Sequence, residues 1–179
     1  MKPALPQKGF TLIELLIVIS LIIIITGAVI PSFNTYIDNQ NVKQAQEAVK
    51  DDMRTIQNKA LNGELAQTEL GGNKVKYWGI QFLQGSPTYT YFISVDTTTC
   101  GGGATRQDQR VSDVLPGESV IRNPDGCVFF SFSNGDIVST LNADKVTVGA
   151  DDGQPDGCRR LNVIANGLIQ LETGELCNP

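Results

Sequence analysis

Between Phe10 and Ile30 the chain reads "FTLIELLIVISLIIIITGAVI", apolar or small at every position except one, Glu14. At 1.5 Å per residue this stretch makes a helix about 31 Å long, the thickness of a bilayer's hydrocarbon core. Lys2, Lys8 and the amino terminus precede it, with no acidic residue among them. The positive-inside bias therefore leaves the N-terminus in the cytoplasm and carries everything after Ile30 across the membrane. A carboxylate at the depth of Glu14 costs on the order of 3 kcal/mol even on mild insertion scales. Its presence asks for a compensating partner.

Two ordinary readings leave that acid unexplained. A cleaved secretory signal has an apolar core of about 7–15 residues and an A-x-A-like site. "TGA" at Thr26–Ala28 is a weak site, and the run is too long. A plain signal anchor accounts for the span and its orientation but not for Glu14 or the residues just before Phe10. The stretch "KGFTLIELLIVISLI" resembles the cleavage and methylation motif of type IV pilins and type II secretion pseudopilins, with glycine, phenylalanine, threonine, leucine and glutamate in register. In that family a membrane aspartic peptidase, the prepilin peptidase, cuts after the glycine on the cytoplasmic side and N-methylates the new terminus. The resemblance implies a cut between Gly9 and Phe10, methylation of Phe10, and Glu14 as the fifth residue of the mature chain.

Cleavage would free a cationic amine on Phe10 at the membrane edge, close to Glu14 along the helix. Pairing Glu14 with the terminal amine of a neighbouring subunit lowers the cost of both charges. One unpaired charge then becomes a drive toward side-by-side helix assembly in fixed axial register. The alternative is that Glu14 is protonated or snorkels to the headgroups and has no role.

The 179 residues carry a net charge of −5, four cysteines and no histidine. Without histidine there is no Ser-His-Asp or Cys-His arrangement and no His-containing zinc site. No catalytic constellation is visible, so the reading is not an enzyme, and no cofactor is implied. After Ile30 there are 18 acidic and 12 basic side chains, a local net of −6. Such a surface does not attract nucleic acid or anionic lipid broadly, so protein partners are expected.

Pro31 follows the apolar span, and proline inside a helix removes a hydrogen bond and crowds the preceding turn. A kink at Pro31, or local unwinding over Thr26–Pro31, is expected, and many members of the family carry a proline near this point. Beyond it, Ile37, Val42, Ala45, Val49, Met53, Ile56 and Ala60 recur mostly at spacings of three and four, one apolar stripe on an otherwise polar helix. Asn62-Gly63 ends the pattern. The stripe is not a sustained heptad and is expected to dock on the domain that follows.

That domain reads as strands at 74–82, 88–95, 127–133, 136–141 and 145–148, rich in β-branched and aromatic residues. "RRLNVIANGLIQLE" adds a hairpin around Asn166-Gly167, a dipeptide suited to a two-residue turn. The stretch 97–119 has no clear period and is read as a mobile loop; its Gly-Gly-Gly run lacks the lysine and serine or threonine of a P-loop. The fold class is α+β: a long N-terminal helix, transmembrane in its first half and amphipathic in its second, on a C-terminal antiparallel sheet. The segments are a leader at 1–9 that is removed, a transmembrane helix at 10–30, its amphipathic continuation at 31–62 and a β-rich exported domain at 63–179.

Cys100, Cys127, Cys158 and Cys177 lie on the exported, oxidising side, and four cysteines allow three connectivities. With the hairpin closed at Asn166-Gly167, opposing residue numbers sum to 333; Cys158 and Cys177 sum to 335, two positions out of register. Cys158–Cys177 is favoured, leaving Cys100–Cys127, although sequence alone does not determine the pairing. "NPDGC" at Asn123–Cys127 recurs as "QPDGC" at Gln154–Cys158, a repeated turn that delivers each cysteine into a strand. In and just after the Asp151–Asp156 loop, Asp152, Gln154, Asp156 and Gly157 partly mimic the start of an EF-hand. Position twelve would be Val163, not glutamate, so a solvated acidic turn is expected rather than a metal site.

"DDMRTIQNKAL", "YWGIQF" and the closing "RRLNVIANGLIQLETGELC" are similar to H-type minor pseudopilins and FimT-like minor pilins. The resemblance implies a structural, minor subunit of a type IV pilus or type II secretion pseudopilus. Its partners would be other pilin or pseudopilin subunits, the prepilin peptidase, an inner-membrane assembly platform and membrane lipid. Its location would be the bacterial inner membrane, single-pass, and then the filament. The alternative is a pilus-associated DNA-binding or adhesin component. Arg159 and Arg160, the only adjacent basic pair, give thin support for DNA capture against the local negative charge.

Overall fold

The computed structural model describes residues 10–98, 100, 103–123, 125–141, 144–150, 157–164 and 168–172, with 28–35 described by their backbone alone. The expected leader 1–9 with Gly9, the Asp151–Asp156 loop, the Asn166-Gly167 turn and Cys177 lie outside these residues. The chain divides into two compact units, 1–37 and 38–179.

A single helix, α1 (Leu12–Leu61), runs from the first unit into the second. It is helical through 26–31, so the local unwinding expected over Thr26–Pro31 is absent. Proline deletes one ladder bond, and an uninterrupted ladder on both sides holds the helical path across that gap.

Within the second unit, the stripe is buried as its spacing requires. Val42, Ala45, Val49, Met53, Ile56 and Ala60 are buried; Ile37, the first residue of the series, is exposed. Gly63 closes the helix, with φ at +67°, where a Cβ would be strained. Its N–H donates to Ala60 O at 2.9 Å, and the Glu64 N–H donates to Lys59 O at 3.0 Å. Those are the two bonds of a Schellman cap.

The strands form two main antiparallel sheets and a ribbon, where the sequence suggested one sheet. The ribbon pairs β1 (Glu69–Leu70) with β2 (Asn73–Lys74) across Gly71-Gly72, both at positive φ. The five-stranded sheet has the order β5-β4-β3-β7-β8, built from β3 (Tyr77–Phe82), β4 (Tyr89–Ser94), β5 (Arg106–Val111), β7 (Gly126–Ser131) and β8 (Ile137–Ser139). The four-stranded sheet has the order β11-β10-β9-β6, from β6 (Ser119–Ile121), β9 (Lys145–Ala150), β10 (Cys158–Ile164) and β11 (Leu168–Glu172).

Three expectations change here. The stretch 97–119, read as a mobile loop, contains β5 and the start of β6. The sequence of β5, "RQDQRV", offers no apolar alternation because five of its six side chains are exposed; its pairing with β4 is carried by backbone hydrogen bonds at a sheet edge. The strand expected at 74–82 splits, its first residue going to the ribbon. The β10–β11 hairpin pairs Ile164 with Leu168 and Leu161 with Leu171, a sum of 332 rather than 333. Three residues rather than two therefore separate the paired positions Ile164 and Leu168.

Alternation sorts the five-stranded sheet into two faces. Trp78, Ile80 and Phe82 of β3, Tyr89, Tyr91 and Ile93 of β4, and Val128 and Phe130 of β7 join the helix stripe and the inner residues of both sheets in one core. Asp52 ties helix to sheet: the hydroxyls of Tyr89 (2.6 Å) and Tyr91 both donate to its Oδ2. Burial, reinforced by that carboxylate, pushes both hydroxyls well above the ordinary phenol range. On the opposite face Phe92, Phe129 and Cys127 form a second cluster, with the Phe92 and Phe129 rings edge to face at 5.4 Å. Gly79 is the cross-strand partner of both rings, and a Cβ there would lie 2.2 Å from Phe92. Only glycine lets that ring lie across the strand.

Candidate functional site

The N-terminal end of α1 closes on itself. Thr11 precedes the first helical residue, and Glu14 is the third residue inside. The Thr11 N–H and Thr11 Oγ1 each donate to Glu14 Oε2 at 2.9 Å, and the Glu14 N–H donates to Thr11 Oγ1 at 3.3 Å. This is a capping box, in which the hydroxyl and the carboxylate each satisfy a backbone donor at the helix start. A carboxylate there also sits at the positive end of the helix dipole. The T-x-x-E spacing was present in the sequence; reading Glu14 only for a partner on another chain missed Thr11.

The rest of this segment follows the same rule. Ser20 Oγ donates to Leu16 O at 2.8 Å, and Thr26 Oγ1 donates to Ile22 O at 2.7 Å. Every polar side chain from Thr11 to Gly27 is thus bonded inside its own helix. The apolar side chains have the opposite fate. From Phe10, 92% exposed, through Ile25 the large ones are all exposed, none below 49%. A contiguous apolar surface of this extent marks an interaction site. Among the described residues no helix is long and apolar enough to cross a membrane; side chains in the apolar run are described only as far as Gly27, short of the expected end at Ile30.

In the second unit, Cys100 and Cys127 are bonded, with a Cα–Cα distance of 5.6 Å. Cys158 is also in a disulfide, and the partner expected for it, Cys177, lies outside the described residues. The Cys100 end is fastened by Arg106, whose side chain is 2% exposed. Its guanidinium lies 4.0 Å from the centre of the Phe92 ring, donates to Cys100 O, and donates to Gln81 Oε1 at 2.8 Å. Sequence reading gave Arg106 no role.

Arg159 and Arg160, the adjacent basic pair, are consecutive residues of β10 and so point to opposite faces. Both are half-buried, and Arg160 stands opposite Glu172. Glu172 also takes Lys145 Nζ at 3.2 Å, and that hydrogen bond is the main cause holding its carboxyl below the usual range. Among the described residues no group of three or more His, Cys, Asp or Glu could hold a metal ion.

Residues 5–30 match the model of the prokaryotic N-terminal methylation motif. Two sequences of the type IV major fimbrial protein FimA of Dichelobacter nodosus, one from strain VCS1703A, are each 32% identical to the chain over 92 residues. The match covers 45% of this chain and 54% of each relative, so the chain spans about half the length of the curated relatives it matches. No solved structure matches significantly. With its helix packed on antiparallel sheets, its methylation motif and its likeness over part of its length to a fimbrial protein, the chain resembles type IV pilins.

Proposed function

We propose that this protein is a structural, non-enzymatic subunit of a type IV pilus or type II secretion pseudopilus, in the minor, H-type position. Residues 1–9 are its leader, 10–30 its transmembrane helix, 31–62 the amphipathic continuation that bends at Pro31, and 63–179 the exported domain. The prepilin peptidase cuts between Gly9 and Phe10 and methylates Phe10, and the inner-membrane platform draws the subunit from lipid into a filament of other pilin or pseudopilin subunits. The observation that carries this reading is the start of α1 as far as Gly27, apolar all round, with each polar side chain there bonded inside the helix. Such a surface is suited to lipid or to other helices of the same kind.

The capping box refines the role of Glu14. Both Thr11 bonds fall on Oε2, and among the described residues Oε1 receives none. Glu14 can keep its own cap and still accept the Phe10 amine of a neighbour. DNA capture is not favoured, since the strand separates Arg159 from Arg160.

Intact-mass analysis of the membrane and filament fractions tests the reading. The expected species starts at Phe10 and carries one added methyl group; a filament built of chains that keep residues 1–9 contradicts it. Glu14→Ala is expected to leave cleavage intact and to impair incorporation, and normal incorporation would remove the role given to Glu14.

A further inference from the structure

On the Phe92–Phe129 face of the five-stranded sheet, one side chain spans three strands. Arg106 opens β5; its guanidinium lies 4.0 Å from the centre of the Phe92 ring of β4 and donates to Gln81 Oε1 of β3 at 2.8 Å. Gln81 is in turn the cross-strand partner of Cys127 in β7. The same guanidinium donates to the backbone carbonyl of Cys100, the residue bonded to Cys127. A second path therefore runs beside the sulfur–sulfur bond, from Cys127 through Gln81 and Arg106 to Cys100.

Most of that path does not depend on the disulfide. Gln81 and Phe92 sit in paired strands, and Asp108, two residues along β5, takes Arg106 Nε at 2.8 Å and Nη2 at 2.7 Å. The Arg106 side chain is 2% exposed, and an unpaired cation at that depth costs several kcal/mol, so these bonds are not readily given up. The remaining donor, Nη1, bonds to Cys100 O. Chain length does not decide which thiol Cys127 takes. Cys100 lies 27 positions before it and Cys158 lies 31 positions after it. Loops of those lengths differ in closure entropy by only about 0.1 kcal/mol. Cys127 is fully buried in β7, whereas Cys100 is half-buried ahead of β5, outside any strand. A local contact must hold Cys100 in place, and the Arg106 guanidinium makes one.

We infer that Arg106 is the positioning residue that selects Cys100 as the partner of Cys127. In the reduced chain the guanidinium, already held by Gln81, Asp108 and the Phe92 ring, fixes the Cys100 backbone and raises the effective concentration of its thiol beside Cys127. Closure then needs only an external disulfide, such as oxidised glutathione. The thiolate of Cys100, the less buried of the two, attacks one sulfur of that disulfide, forming a mixed disulfide and releasing one glutathione thiolate. The Cys127 thiolate attacks the Cys100 sulfur; the Cys100–Cys127 bond forms and the second glutathione thiolate leaves. The two cysteine thiols give up two protons and two electrons, and oxidised glutathione is reduced to two thiols. This selection is independent of any role in a filament.

Thiol–disulfide equilibration of the full chain in detergent micelles tests it. The chain is reduced, then held at a series of ratios of reduced to oxidised glutathione, and non-reducing peptide mapping reads which cysteines have joined. The native chain is expected to close Cys100–Cys127 in preference to Cys127–Cys158. Arg106→Met keeps an apolar stem and loses every side-chain donor. Its closing constant is expected to fall roughly tenfold or more, with Cys127–Cys158 appearing. Arg106→Lys keeps the cation without the fork and is expected to recover little of that loss. Gln81→Met leaves Arg106 in place, cuts the path at β3 and is expected to lower the constant by a smaller factor. In concentrated urea all these chains are expected to close alike. A merely structural Arg106 would cost the same stability with Cys100 and Cys127 replaced by serine as with both present. The selection is overturned if Arg106→Met, or Gln81→Met where the first variant does not fold, closes with the native constant and the native partner. It is overturned equally if Arg106→Lys restores closure in full, if the differences persist in urea, or if the stability cost is the same with and without the two cysteines.

Discussion

Ile17 is 52% exposed and Met53 is fully buried, although both are large apolar side chains on one unbroken helix. In the second half of α1 a narrow stripe at spacings of three and four meets the core of two sheets, and the opposite face is polar. In the first half the apolar residues run all round, and within the described chain nothing covers them. Helix formation is therefore common to both halves, and burial separates them. The second half finds its partner in its own chain; the first half, as far as Gly27, keeps its large apolar side chains exposed among the described residues. The polar groups agree with this division. In the first half they bond within the helix, whereas in the second half Asp52 and Gln46 reach across to Tyr89 and to Arg160 O.

The contrast is tested most severely by placing a charge in each half. Val49→Asp buries an unpaired carboxylate and is expected to cost more than about 4 kcal/mol, unfolding the β-rich unit in thermal or urea melts. Ile22→Asp is expected to leave that unit's unfolding temperature unchanged and to weaken membrane insertion by about 3 kcal/mol, read by partition into vesicles. Equal destabilisation of the β-rich unit by both would erase the distinction.

A smaller effect is expected at the disulfide on the far face of the five-stranded sheet. Cys100→Ser with Cys127→Ser frees a loop with a sequence separation of 27, worth about 3.5 kcal/mol by chain entropy. Urea unfolding should show it, with Arg106 losing its anchor at Cys100 O.

Next comes the Asp52 tether. Asp52→Ala leaves two tyrosine hydroxyls without their acceptor and is expected to cost about 2 kcal/mol. Because both tyrosines ionise at a higher pH folded than unfolded, their contribution is whole below the ordinary value of 10.0. Stability should fall as the pH rises beyond that value and the unfolded phenols ionise. Alkaline melts of Tyr91→Phe should show a shallower fall.

The smallest effect belongs to Glu172. Its carboxyl is held below the ordinary glutamate value of 4.5 by the Lys145 hydrogen bond, so its contribution is present above that pH and is lost as acid titrates the folded group. Lys145→Met should flatten the acid limb of the stability profile slightly, and an unchanged limb would show that the pair contributes nothing.

Periodicity made the helix and its buried stripe readable, because a core contact every three or four residues leaves a mark in composition. The strands 77–82, 89–94 and 126–131 were readable for a similar reason, being rich in aromatic and β-branched residues. The edge strand β5 was not, because its pairing is backbone to backbone and its side chains face water. Its one inward side chain is a charged Arg106, which a hydrophobic pattern cannot flag. The hairpin register slipped by one because the length of a turn is decided by backbone geometry as well as by an Asn-Gly pair. At the N-terminus Glu14 was conspicuous and Thr11 was not, since a threonine in an oily run looks ordinary until the helix start is placed.

The most direct test of the contrast within α1 is a chain trimmed to begin at residue 36, compared with the full chain in lipid vesicles. The trimmed chain should be soluble without lipid and unfold cooperatively within a few degrees of the full chain, while the full chain stays with the vesicles. A trimmed chain that fails to fold, or that still partitions into lipid, would contradict the account.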